Sequence, residues 1–211
     1  RVWNAKVGGY VVEEGWLQPM VRKYSAEPKF EVRYRKDLTS LPRAKYKKLA
    51  GHGEKARLAR LAAEADECDL LIFMVDADSN VRQDWKRILD DVGLGFAAYP
   101  DGPPSVACVP MAASECWLLA DASCWSQLGL KDVSILPSRP ESIWGKRDDP
   151  NGGHPHRFFY RVCGVAGLAD TPLTRVDLME RASLDEILAK CPISFSDFNN
   201  GQSLTNELIS Y

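Results

Sequence analysis

"DLLIFMVDADSN", residues Asp69–Asn80, is the stretch on which the fold turns. An unbroken apolar run from Leu70 to Val75 stops abruptly at Asp76 and Asp78. A run of this length without polar alternation fits a strand covered on both faces, as in a parallel sheet. "SVACVPM", from Ser105, has the same character. "KVGGYVVE", ending at Glu13, and "KFEVRYR", from Lys29, read as two further strands. Helical patterns lie between them. "EGWLQPMVRKYS" spaces Trp16, Met20 and Val21 for a helix that Pro19 forces to start nearby or to kink. "HGEKARLARLAAEADEC" carries an apolar stripe through Ala56, Leu58, Leu61, Ala62 and Ala65. "VRQDWKRILDDVG" does the same through Val81, Trp85, Ile88 and Leu89, with an expected stop at Gly93. "ASECWLLADASCW" follows the fourth strand. Strand and helix alternate over residues 1–130, which predicts an α/β core: an open, mainly parallel four-stranded sheet flanked by helices.

After about Lys131 the composition changes. "ILPSRPESIWGKRDDPNGGHPHRF" is rich in proline, glycine and charge and reads as an ordered loop. "FFYRVCGVAGL" and "SLDEILAKC" read as short helices. Residues 131–211 have too few apolar side chains for a core of their own, so a loop-rich helical C-terminal extension packed on residues 1–130 is expected. Its aromatic residues (Trp144, Phe158, Phe159, Tyr160, Phe195, Phe198) are expected to pack rather than to form a docking face.

Composition narrows the functional classes. The chain has 211 residues, 45% of them hydrophobic, with no apolar run long enough to span a bilayer and no secretory pattern at its start. Six cysteines form no Cys-x-x-Cys pair, and several lie in apolar segments. Reduced, buried thiols, a cytoplasmic setting and no structural zinc are expected. Total charge is nearly balanced, 27 basic against 29 acidic residues. Yet Arg33 to Arg60 carries ten cations, including Lys45, Lys47, Lys48, Lys55 and Arg57, against only Asp37 and Glu54. Such a segment is either a solvated helical face or a local contact for an anionic partner.

Three of the four expected strands lead into acid. Glu13 closes the first, Asp76 and Asp78 the third, and Glu115 opens the helix after the fourth. The carboxyl ends of parallel strands border the crevice where α/β sheets bind ligands. Carboxylates gathered there repel one another unless a cation neutralises them, and an all-oxygen set suits Mg²⁺ or Mn²⁺. Aspartate also favours turns and caps for purely local reasons, and glutamate favours the first turn of a helix. No catalytic Ser-His-Asp arrangement, Gly-rich phosphate loop or nucleophilic cysteine context is evident. The His154-x-His156 pair sits around Pro155 in a loop poorly suited to zinc.

A strand ending in Glu, a basic linker and helix, and an apolar strand ending in Asp-x-Asp resemble the TOPRIM fold. That fold is shared by type IA and II topoisomerases, bacterial primases and OLD-family nucleases. "VVE…EGWLQPMV", "FMVDADSN", "SECWLLAD", "WGKRDDPNGGHPHR" and "CPISFSDF" together resemble a TOPRIM-like family associated with ABC-type ATPases in bacterial defence or mobile islands. The resemblance covers nearly the whole chain. It implies a Mg²⁺-dependent nuclease, an antiviral effector with an ATPase partner, acting on nucleic acid, DNA more than RNA. It assigns metal binding to Glu13, Asp76 and Asp78, with Glu115 completing the acidic set and Asp121 closing its motif. Lys45, Lys47, Lys48, Lys55, Arg57, Lys146, His154 and Arg157 are the candidates for contact with the phosphate backbone. A homo-oligomer is compatible with this reading, and a membrane is not expected. The alternative is a catalytically silent module that binds nucleic acid or regulates an ATPase. The family usually has a short polar loop, Glu-Gly-x-Thr/Ser-Asp/Glu, between the strand-one glutamate and the helix. Here Glu13 runs straight into Glu14-Gly15-Trp16, so that loop is either contracted or outside the numbered sequence.

Overall fold

A computed structural model of the chain describes residues 2–4, 9–11, 14–25, 28–33 and 49–209, the side chains of 2–4, 9–11 and 202–209 excepted. In chain order the elements are β1 (Val2–Asn4), β2 (Gly9–Val11), α1 (Leu17–Arg22), α2 (Gly51–Ala65), β3 (Leu71–Met74), α3 (Arg82–Ala97), β4 (Ser105–Cys108), α4 (Glu115–Leu118) and α5 (Ala122–Gln127). Two 3₁₀ turns, Val133–Ile135 and Pro140–Ser142, lead to α6 (Pro155–Val165), α7 (Pro172–Arg181), α8 (Leu184–Lys190) and α9 (Ser194–Ile209). The protein is α/β, with helices predominating among the described residues.

β3 and β4 pair in parallel, Leu71 opposite Ser105 through Met74 opposite Cys108, with α3 as the crossover. Their pairing continues past the strand ends, Val75 N–H donating to Cys108 O (3.0 Å) and Ala77 N–H to Pro110 O (3.0 Å). The first expected strand is present at Gly9–Val11 but pairs antiparallel with Val2–Asn4, Val2 opposite Val11. Residues 29–33, the described part of the second, are in no ladder. The described parallel sheet therefore has two strands.

α3 runs through the expected stop at Gly93 to Ala97. Packing explains the glycines near its end. A Cβ on Gly95 would lie 2.2 Å from the carbonyl oxygen of Gly53 and 2.8 Å from Ala56 Cβ, so Gly95 lets α2 and α3 meet backbone to backbone. A Cβ on Gly93 would meet nothing within 4 Å. The small residues Ala56, Ala59, Ala62 and Ala63 line the buried face of α2. The Asp91 carboxylate of α3 accepts from His52 N (2.8 Å) and Gly53 N (2.9 Å), satisfying amides at the start of α2 that no residue of that helix can reach.

The largest apolar core joins both halves of the chain. Trp16, Met20, Trp117, Trp125, Phe159, Ile187, Phe195 and Phe198 belong to one buried cluster that extends across residue 131. Trp117 is fully buried, stands edge-on to Phe195 (centroids 5.0 Å apart) and to Trp16 (5.9 Å), and donates through its indole N–H to Ser194 Oγ (2.9 Å). Of the C-terminal aromatics, Phe159, Phe195 and Phe198 are in this core, whereas Trp144 and Tyr160 are exposed. All six cysteines are free thiols, five of them buried. Among the described residues no helix is long and apolar enough to cross a membrane.

Candidate functional site

The carboxyl ends of β3 and β4 open into two loops that are laced together. Ala112 N–H donates to Ser79 O (2.8 Å), and Ser114 N–H donates to Asp76 Oδ1 (2.9 Å). Both loops turn through the left-handed region, at Asp78 (φ 49°) and Ala112 (φ 62°). Aspartate tolerates that conformation better than most residues, alanine less well. The turns bring Asp76 beside the start of α4, and therefore beside Glu115. Asp76 is half-buried, and its carboxyl is pushed up to about 7 from the usual 3.8. Burial is the main cause, and the negative charges of Glu115 and Asp78 add to it; the hydrogen bonds from Ser114 oppose it. Asp78 itself is exposed.

Glu115 is buried and has partners from the C-terminal half. Its Oε1 accepts from Arg175 Nη2 of α7 (2.9 Å) and lies 3.1 Å from His156 Nδ1 of α6. Burial by itself raises the Glu115 carboxyl, but the Arg175 charge and the hydrogen bonds from His156 and Arg175 outweigh it, and the net displacement is downward. Arg175 also donates to both oxygens of Asp170 (2.8 and 3.1 Å) and covers the ring of Phe159, its guanidinium carbon 4.9 Å from the centroid. Asp170, Arg175, Glu115 and His156 thus form a connected polar chain, and the half-exposed His156 ring is its outer end.

Glu13 lies outside the described residues. Gly15 and Trp16, just after it, line a pocket of about 380 Å³ with Asp170, Thr171, Pro172 and Arg175. Arg175 is also the partner of Glu115, so the chain that follows Glu13 borders the same cluster. Lys45, Lys47 and Lys48 are outside the described residues as well. Lys55 is half-buried on α2 and Lys146 is exposed.

Two phosphate-contact candidates are buried. The Arg57 side chain is 1% exposed and grips Glu54 through two hydrogen bonds (2.9 and 3.0 Å), so it is held inside the protein rather than presented to a polyanion. His154 is buried against Trp144 (centroids 5.1 Å apart) and caps α6, its Nδ1 accepting from His156 N. Burial, then the nearby Arg147 charge, lowers its proton affinity, in keeping with a ring nitrogen that accepts a hydrogen bond as a helix cap. Arg157 donates its Nε–H to Arg147 O (2.7 Å).

Sequence reasoning passed over Asp170, Arg175 and, apart from the zinc question, His156. "HPHR" was a visible signal for His156. Arg175 had none, because it sits in an ordinary amphipathic stretch, "TPLTRVDLMER", sixty residues from its partner Glu115.

Asp76 and Asp78 supply hard oxygen donors, and the raised proton affinity of Asp76 comes first from burial, with the negative charges of Glu115 and Asp78 adding to it. Glu115 is already satisfied by Arg175 and His156. Among the described residues no group of three or more His, Cys, Asp or Glu side chains is arranged to hold a metal ion. Asp76 and Asp78 are thus two oxygen donors of the type a hard cation takes, and by themselves they do not make up a metal site. Comparison of the chain with known protein families, with curated proteins and with solved structures finds no match.

Proposed function

We propose that the chain is a TOPRIM-like, metal-dependent nuclease that hydrolyses nucleic-acid phosphodiesters, DNA before RNA, as the effector partner of an ABC-type ATPase in a prokaryotic defence system. The observation that carries the chemistry is Asp76: a half-buried carboxyl at the carboxyl edge of a parallel sheet, with its proton affinity raised partly by Asp78 and Glu115. Asp76 and Asp78, joined by Glu13, would hold Mg²⁺ or Mn²⁺. Held by these carboxylates, such an ion would supply Lewis-acid charge at a scissile phosphate. Arg175 keeps Glu115 ionised and in place. Glu115 fixes His156 through Nδ1, which leaves Nε2 as the atom able to exchange a proton with water or a leaving oxygen.

The test is incubation of purified protein with single- and double-stranded DNA and RNA, with and without Mg²⁺ or Mn²⁺. Cleavage that requires the metal and falls at least a hundredfold in Asp76→Asn supports the proposal. Equal cleavage by wild type and a Glu13→Gln, Asp76→Asn double variant overturns it.

One observation favours a second reading, a silent module that binds nucleic acid or regulates an ATPase. Glu115 is already compensated by Arg175, so fewer carboxylates remain for an ion. Nucleic-acid binding with no measurable Mn²⁺ uptake by calorimetry selects that reading.

A further inference from the structure

A second cavity, of about 710 Å³, opens beside the aspartate loop and is cationic. Arg82, at the start of α3, Arg139, ahead of the second 3₁₀ turn, and Lys190, at the end of α8, converge on it from three separate elements. Asn80 and Met111, from the two loops at the carboxyl edge of the sheet, form part of its wall. The Asn80 amide donates to Ser142 O (3.1 Å), tying that wall to the 3₁₀ turn.

None of the three cations has a carboxylate partner among the described residues. Glu141, the acid on the cavity wall, is 3% exposed and committed elsewhere. It accepts from Ile193 N (3.1 Å), Ser194 N (2.7 Å) and the Ser194 hydroxyl, capping the start of α9. The cavity therefore gathers three positive charges around a space that falls in the ~300–1,000 Å³ range of small-ligand sites. Such an arrangement invites an anion with several acceptor oxygens, and Arg in particular matches the geometry of phosphate.

We propose that this cavity binds a phosphate ester of a nucleic-acid strand through Arg82, Arg139 and Lys190. Asn80 is two residues from Asp78, so their Cα atoms are at most about 7 Å apart. A strand held here passes beside the aspartate pair, and a neighbouring phosphodiester along it lies within reach of Asp76 and Asp78. The phosphate site stands on the cavity's geometry; its use in presenting a scissile bond rests on the nuclease reading.

Binding is measured in EDTA, so that cleavage plays no part, by fluorescence anisotropy with a 12-nucleotide single strand and separately with a labelled nucleoside monophosphate. The variant Arg82→Gln/Arg139→Gln/Lys190→Gln is compared with Lys29→Gln/Arg87→Gln/Lys131→Gln, which removes the same charge from other exposed positions. The first should weaken oligonucleotide binding at least tenfold at 0.1 M salt. It should also flatten the slope of log K against log salt by about 0.7, the value for one lost phosphate contact on a single strand. Arg82→Lys/Arg139→Lys should keep most of the affinity, and circular dichroism of each variant should match wild type. Loss of monophosphate binding in the cavity variant also supports the site, identifying a single phosphate group as sufficient. Equal weakening by both glutamine variants, or none by the first, overturns the proposal. Metal-dependent cleavage by wild type is scored separately, so absence of cleavage with intact cavity binding counts against the nuclease and not against this site.

Discussion

Arg175 and Glu115, sixty residues apart in the chain, meet in a partly buried ion pair of 2.9 Å. The contact fastens α7 to the first turn of α4, beside Asp76. Because Arg175 is shared with Asp170, its removal strands two carboxylates at once.

Arg175→Met should therefore destabilise the protein by about 2–4 kcal/mol near pH 7, the range for breaking a buried pair reduced for partial exposure. Glu115→Gln should cost less, since the amide oxygen still accepts from Arg175. Urea denaturation of the two variants checks the order. Equal, small losses would show that the pair contributes little.

Asp76 predicts a pH dependence in metal-free protein. Its carboxyl is about 7 in the folded chain against 3.8 when exposed, so between those values the folded state holds the extra proton. Stability from this group is full below about pH 4, falls as pH rises towards 7 and is level above that. Asp76→Asn keeps the acceptor for Ser114 N and removes the titration. Its advantage over wild type should be near zero at pH 4 and reach the order of 2–4 kcal/mol above pH 7, at about 1.4 kcal/mol per tenfold change in proton affinity. Glu115 slopes the other way, losing its contribution as pH falls below the usual glutamate range, but it is common to both proteins and cancels in the comparison. Thermal melts from pH 4 to 8 in EDTA supply the test; a pH-independent difference would refute the assignment.

Gly95 and Gly93 make an internal control. Gly95→Ala should destabilise by about 1–3 kcal/mol through overpacking against Gly53 and Ala56. Gly93→Ala, with open space around it, should stabilise by up to about 1 kcal/mol from helix propensity alone. Opposite signs two residues apart are readable from denaturant midpoints.

Asp121 ties α5 to the start of α8. One carboxylate oxygen accepts from Ser123 N (2.8 Å) and Cys124 N (3.3 Å), the other from Ser183 N (2.8 Å). Burial alone raises its proton affinity, but these bonds together hold it low. Asp121→Ala should cost about 1–3 kcal/mol and Asp121→Asn less. Chemical denaturation of both separates capping from packing.

Thiol chemistry offers a test of burial. Burial pushes Cys124 and Cys163 up to about 12 and raises Cys108, Cys116 and Cys191 as well. Only Cys68 is not buried. Ellman's reagent at pH 8 should therefore titrate about one thiol in the native protein and all six in urea. Rapid reaction of three or more native thiols would contradict the core described above.

The sequence by itself determined the elements whose burial follows a local period. The unbroken run from Leu70 to Val75 contains β3 (Leu71–Met74), the stripe through Ala56 and Ala62 became the packed face of α2, and Asp76 and Asp78 fell just past the strand's carboxyl end. Periodicity is encoded within ten or fifteen residues, so it survives without knowledge of partners. Tertiary structure alone decided which charges are available. Arg57 and Arg175 are both arginines on helices; Arg57 pairs with Glu54 three residues away and only packing puts that pair inside the protein, whereas Arg175 reaches Glu115, sixty residues away, as well as Asp170. It also gathered Arg82, Arg139 and Lys190 around one cavity, although no motif unites them. Pairing and burial of charge depend on where distant segments meet, and the cost of desolvating an ion is set by those neighbours rather than by its place in the chain.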